Sequence, residues 1–346
     1  MEPGDGRSGV VVGRRFGRRR VGLRIVRRVA LGRSGVEVSV VMVGGGTIGG
    51  IGSVRATWGK GLTDDEAFEM LDTAVGMGVN VVDTANSYAG GHSEEVIGAW
   101  LRERSPDVLV ATKVGNLVEP DQVDICLTSD HILRQFPASL QRLGLDKVDL
   151  YLSHAPDEST PIAETLEAFA ALIETGQVAA IGACNISATQ LNEALVEADR
   201  LGLPRYEWVQ NEYSVLARDD EATVIPICRD HGLGYTPHSV LSGGVLSGKF
   251  LPGAELLAGT TVALRASDYA PYLTAEVLEG VQRWAGEAKR LGVGGAALAL
   301  AWVLSSDDVT AALVGARRAT HFADVTDALE LRLDADQRER LAGLLR

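Results

Sequence analysis

The chain has 346 residues, 46% hydrophobic and 23% charged, with 40 glycines, a composition that excludes a disordered or collagen-like protein. It suits one large globular domain or two ordinary ones. Asp and Glu total 46 against 33 Lys and Arg, and the net charge of −13 repels phosphate backbones and anionic headgroups, so nucleic acid and membranes are excluded as partners in favour of a small molecule.

The charge is unevenly placed. Residues 1–28 hold nine arginines against Glu2 and Asp5, and this stretch has neither helical nor strand periodicity. Residues 1–27 therefore read as a basic, disordered extension or a misassigned start, and residues 28–346 as the folded unit. The start lacks the apolar core of a secretory signal, and no later run reaches the ~18 apolar residues of a membrane span. Cys126, Cys184 and Cys228 are odd in number and far apart, which argues against disulfides or a zinc site and for a reducing cytoplasm. The 28 Arg against 5 Lys carry the bias of a GC-rich bacterial gene.

In chain order, residues 31–39 read as a strand, a glycine turn and a second strand, a hairpin ahead of the main fold and placed to plug its bottom. Eight β-branched runs come next, at 40–43, 80–83, 108–113, 148–154, 178–182, 208–212, 233–237 and 310–315. Helical patterns separate them. Thr63 precedes three acidic residues and an apolar stripe at Phe68, Leu71 and Val75, and Ser93 precedes Glu94 and Glu95, so both read as N-caps with acidic first turns. Further helices are predicted at 129–143, 161–175, 187–201, 221–231 and 295–304. Eight strand–helix units in this length predict a parallel (β/α)₈ barrel, with an open doubly wound sheet as the alternative. Residues 250–273 form a long loop over the active face, and helices at 275–291 and 335–345 are extra to the repeat.

Gly44, Gly46 and Gly49 spell GxGxxG after the first strand, the fingerprint of a dinucleotide-binding Rossmann turn. That fingerprint needs a helix starting at the glycines. Residues 50–59 (GIGSVRATWG) have no helical stripe, so the segment reads as a glycine-rich loop that lets a ligand or another backbone approach closely.

Chemistry in such barrels sits at the C-terminal ends of the strands. There the second strand ends in Asp83 with Tyr88 just beyond, the third in Lys113 and the fourth in His154. A buried lysine needs a carboxylate, and Asp83 supplies one. An ammonium beside a phenol favours phenolate, so Lys113 is expected to lower the pKa of Tyr88 and make it a general acid, with His154 holding the same substrate oxygen. Singly each residue has a structural reading, as cap, rim or core; four together at strand ends do not.

These residues lie in a pattern that resembles the aldo-keto reductases across about residues 28–346. The matching stretches are 31–39 (LGRSGVEVS), 78–88 (GVNVVDTANSY), 139–151 (SLQRLGLDKVDLY), 182–185 (GACN), 210–214 (QNEYS) and 315–317 (GAR). The resemblance implies a (β/α)₈ barrel that reduces aldehydes or ketones with NADPH, and it maps the family's Asp, Tyr, Lys and His onto Asp83, Tyr88, Lys113 and His154. It further implies a nicotinamide site at Cys184, Asn185 and Gln210, with His238 where relatives carry a stacking aromatic, and Ser239 and Leu241 beside it. Lys249 matches the pyrophosphate loop, Gly315 and Arg317 the 2′-phosphate grip, and His321 and Asp324 the adenine end, where the family's Gln and Glu-Asn pattern is incomplete. Trp58 and Asn116 are expected to wall the substrate pocket. A regulatory, cofactor-sensing protein with little turnover, like the potassium-channel β subunits that resemble this family, is the alternative.

Overall fold

The computed structural model describes residues 26–118 and 124–345. Of the basic extension, residues 1–25 lie outside this range. Val26 and Arg27 already belong to the folded unit, because Val26 N–H donates to the Met77 carbonyl and the Arg27 carbonyl accepts from Val40 N–H.

Strands β1 (Arg28–Ala30) and β2 (Glu37–Ser39) pair antiparallel as a hairpin, but its first strand precedes the expected 31–39 stretch, whose residues 31–36 form the connecting turn. The barrel is β3 (Val41–Gly44), β4 (Val81–Asp83), β5 (Leu109–Val114), β6 (Val148–Ser153), β7 (Val178–Cys184), β8 (Trp208–Gln210), β9 (Gly234–Tyr235) and β10 (Ala312–Val314). All eight run parallel in chain order, with β10 returning beside β3. The cylinder closes between β9 and β10, where Thr310 N–H donates to Tyr235 O at 2.8 Å and Leu313 N–H to Pro237 O at 2.9 Å.

Outside lie α1 (Asp64–Gly76), α2 (His92–Arg104), α3 (Ser129–Leu143), α4 (Ile162–Glu174), α5 (Ala188–Leu201) and α6 (Val224–His231). The chain after β9 holds two single turns, α7 (Thr261–Leu264) and α8 (Ala266–Tyr269), then α9 (Ala275–Arg290) and α10 (Gly295–Leu304). After β10 come α11 (Phe322–Glu330) and α12 (Ala335–Ala342). The two extra helices are α9 and α12, as expected. α11, whose buried Phe322, Val325 and Ala328 make only a short stripe, has no counterpart in the sequence reading.

Alternation along the strands builds two cores. Leu150 and Leu152 of β6 point into the barrel with Met42, Val81, Ala111, Trp208 and Leu313, and Leu31 and Val38 of the hairpin join that layer, plugging the bottom. Tyr151 between them points outward, edge-on to Phe136 of α3 and Phe169 of α4 at centroid distances of 4.9 and 5.4 Å. Asn80 ties plug to barrel: its Oδ1 accepts from Ser39 N–H at 2.6 Å and its amide donates to Glu37 O at 3.0 Å.

Thr63 caps α1 in a capping box with Glu66, and Ser187 caps α5 in the same way with Gln190. The expected cap at Ser93 is not found. Gly91 in the left-handed region starts α2, while Ser93 is turned inward, donating to Gly45 O at 3.0 Å and lying 2.8 Å from Thr84 Oγ1. Thr128 caps α3, its side chain accepting from His131 N–H. No helix begins at the GxGxxG glycines; the segment folds as turns with a bridge between Ile48 and Leu62. Among the described residues no helix is long and apolar enough to cross a membrane.

Candidate active site

The ends of β4, β5 and β6 place Asp83, Lys113 and His154 side by side, because parallel register sets Asp83 opposite Ala111 and Lys113 opposite Leu152. Asp83 is fully buried and Lys113 is 1% exposed. The ammonium has three hydrogens and uses all of them: a short contact to Asp83 Oδ1, Thr84 O at 2.8 Å and Tyr88 Oη at 3.3 Å. Asp83 Oδ2 accepts from the Gln210 amide at 3.0 Å. Tyr88 comes from the turn between β4 and α2, and its ring stands edge-on to His154 at 5.2 Å and 79°.

Burial disfavours the Lys113 ammonium, but Asp83 and its neighbours outweigh that and hold its pKa above the ordinary value. For Tyr88 the balance differs from the sequence expectation. Burial pushes the phenol up, Lys113 pulls it down, Asp83 partly cancels that pull, and the net direction is upward. Tyr88 is a neutral phenol that keeps its proton until a charge develops beside it. His154 is held well below the ordinary histidine pKa, first by burial and then by Lys113 and His238, so its imidazole is neutral.

Above these residues opens a cleft of about 1200 Å³ that runs from Tyr88 and His154 past Asn185, Gln210 and His238 to Lys249, Arg317 and His321. Cys184, Ser239, Leu241, Gly315, Asp324 and Asn116 also line it. Lys113 lies beneath its floor. Trp58 is not in its wall; it stands 43% exposed at the rim, with Arg55 over its ring, packed so closely on Gly90 that a Cβ there would sit 2.6 Å from the indole.

The two side-chain amides are already engaged. Gln210 donates to Asp83 and accepts from the Cys184 thiol at 3.5 Å. Asn185, at a left-handed φ of 55°, donates to His154 O at 2.9 Å and lies 2.9 Å from His238 Nε2. Burial lowers the His238 pKa to about 4. At the far end Lys249 and Arg317 both fall below their ordinary values, through burial first and then, for Lys249, through Arg317 and Arg318, and, for Arg317, through Arg318. Arg317 spans the cleft, donating to Gly259 O at 2.5 Å in the loop after β9 and to Lys60 O at 3.0 Å before α1. Crowded, part-buried cations of this kind gain from an anion between them.

Sequence reasoning missed Ser53, Arg265 and Arg318, which line the cleft, and Ser87, whose Oγ lies 3.4 Å from His154 Nδ1. Ser87 was legible only as the neighbour of Tyr88, and Ser53 only as part of the glycine-rich loop. Among the described residues no group of three or more His, Cys, Asp or Glu is arranged to hold a metal ion.

Comparison with known proteins agrees with this geometry. The family model described as the aldo/keto reductase family matches residues 48–346. A probable voltage-gated potassium channel subunit beta of Arabidopsis thaliana is 34% identical, covering 87% of this chain and 90% of its own length. An uncharacterized oxidoreductase of Bacillus subtilis, YrpG, is 33% identical over 88% of this chain and 92% of its own. An NADH-specific methylglyoxal reductase of Escherichia coli is 29% identical over 90% and 96%. With its eight-stranded parallel barrel and this coverage, the chain belongs to the aldo/keto reductase family.

Proposed function

We propose that this chain is an NADPH-dependent carbonyl reductase in which Tyr88 is the general acid. The observation that carries the reading is the cleft itself: a buried Asp83–Lys113–Tyr88–His154 group at one end, and mutually repelling cations at the other.

The residues present fit a phosphorylated nicotinamide. Asn185 and Gln210 would hold its carboxamide beside Tyr88, Lys249 its pyrophosphate, and Arg317 with Arg318 its 2′-phosphate, since guanidinium suits a phosphate dianion. His238 offers less stacking area than the aromatic of relatives. When bound, the reduced nicotinamide supplies a hydride to the carbonyl carbon. As negative charge grows on the carbonyl oxygen, the neutral Tyr88 phenol releases its proton to that oxygen, and Lys113, hydrogen-bonded to Tyr88 Oη, stabilises the phenolate left behind. Asp83 keeps Lys113 charged and aimed. The substrate is an aldehyde or ketone, a sugar or keto-sugar among the candidates.

The test is a panel of aldehydes and ketones, methylglyoxal and nitrobenzaldehyde among them, followed by loss of NADPH absorbance and repeated with NADH. Tyr88→Phe should lower kcat by about 10²–10⁴, the range of a single general acid. A Tyr88→Phe protein as fast as the parent overturns the assignment. Relatives named as potassium channel β subunits favour a second reading, a cofactor-binding regulator. Tight NADPH binding with negligible turnover across the panel would select it.

A further inference from the structure

Three loops at the mouth of the barrel, after β3, β4 and β5, each contribute one polar side chain to a line that ends on His154. Asn116 Nδ2 lies 3.5 Å from Ser53 Oγ, Ser53 Oγ lies 2.7 Å from Ser87 Oγ, and Ser87 Oγ lies 3.4 Å from His154 Nδ1. The imidazole is held at its other points as well. Its backbone N–H donates to Val114 O at 2.8 Å and its carbonyl accepts from Asn185, while its ring meets the edge of Tyr88.

We propose that Ser87, backed by Ser53 and Asn116, is a positioning residue that fixes His154 as the tautomer with its proton on Nε2. An amide NH₂ can only donate, so Ser53 accepts from Asn116 and keeps its own hydrogen for a further partner. In the proposed line each hydroxyl passes its hydrogen on, Ser53 to Ser87 and Ser87 to His154 Nδ1, which then accepts. A neutral imidazole carries one proton, and with Nδ1 accepting, that proton is on Nε2. A second proton is opposed first by burial and then by the charge of Lys113.

The consequence rests on the reductase reading. With Nε2–H, His154 donates to the same substrate oxygen as Tyr88, and two donors converge where negative charge grows. In the other tautomer a lone pair would face that oxygen. Asn116, which lines the cleft, also begins this line of side chains.

The test has two readouts on the full-length protein. In ¹⁵N-histidine-labelled protein, two-bond ¹⁵N–¹H correlation spectra distinguish protonated from bare ring nitrogens, and His154→Gln identifies the His154 signals. The parent should show a bare Nδ1 and a protonated Nε2 at neutral pH. Ser87→Ala should move both shifts toward a tautomer mixture, and Ser53→Ala part of the way. Kinetically, Ser87→Ala should lower kcat about three- to tenfold, the factor one neutral hydrogen bond commands, with KM nearly unchanged. A parent His154 protonated on Nδ1, or Ser87→Ala spectra that superpose on the parent's, overturns the proposal. Should the parent reduce no carbonyl compound, the reductase reading fails on its own, and the nitrogen shifts still decide the tautomer.

Discussion

Replacing Lys113 by Met keeps length and volume but removes the ammonium from a site with 1% exposure. Asp83, itself fully buried, would be left with the Gln210 amide at 3.0 Å as its remaining side-chain donor, and Thr84 O would lose its 2.8 Å partner. Removing one member of a buried ion pair costs about 3–5 kcal/mol, because the other charge stays desolvated and uncompensated. The folded-to-unfolded ratio should therefore fall by about 10² to 10³ or more. Removing both charges together leaves no orphan, so the Asp83→Asn, Lys113→Met double variant should regain about 2 kcal/mol of that loss. Urea unfolding followed by tryptophan fluorescence is a suitable assay, since Trp100, Trp208, Trp284 and Trp302 are buried. Both variants should be nearly inactive, so stability and catalysis are separated by the double variant. A Lys113→Met protein within about 0.5 kcal/mol of the parent would refute the reasoning, showing that these charges do not anchor the strand ends.

The geometry carries two other expected outcomes. Gly182 sits in mid-β7, where an added Cβ would lie 2.3 Å from the Trp208 ring and 2.8 Å from Trp208 O; Gly182→Ala should cost about 1–3 kcal/mol by overpacking, measured by the same unfolding. His238 has a folded pKa of about 4 against an ordinary 6.5, and His154 shifts in the same direction. The unfolded chain then binds protons that the folded chain rejects, so stability should fall as pH drops below 6.5 and level off near 4. His238→Gln should flatten part of that slope in a Tm-against-pH series; an unchanged slope would show that His238 does not titrate in this way.

The barrel was legible because parallel strands buried on both faces read as uninterrupted β-branched runs, and the spacing between runs left room for one helix each. Asp83, Lys113 and His154 were legible because, although each singly has a structural reading, ionisable side chains falling together at the ends of such runs do not. The ends of elements were less so: β9 is two residues long where five were expected, since closure against β10 uses Thr310, Pro237 and Leu313 outside regular strand pairing. Ser93 carried every local sign of a cap, yet its hydroxyl bonds Gly45 and Thr84 in the packed interior.

What the sequence determined by itself, then, was the order of strands and helices and the residue types at each strand end, because those depend on periodicity and neighbours along the chain. The tertiary structure alone decided which groups meet. Gln210 reaches Asp83 across 127 residues, Ser53 backs Ser87 across 34, and Arg317 bridges two loops. It also decided the sign of the Tyr88 shift, because desolvation is a property of the whole enclosure, and here it outweighs the neighbouring ammonium from which the sequence argued.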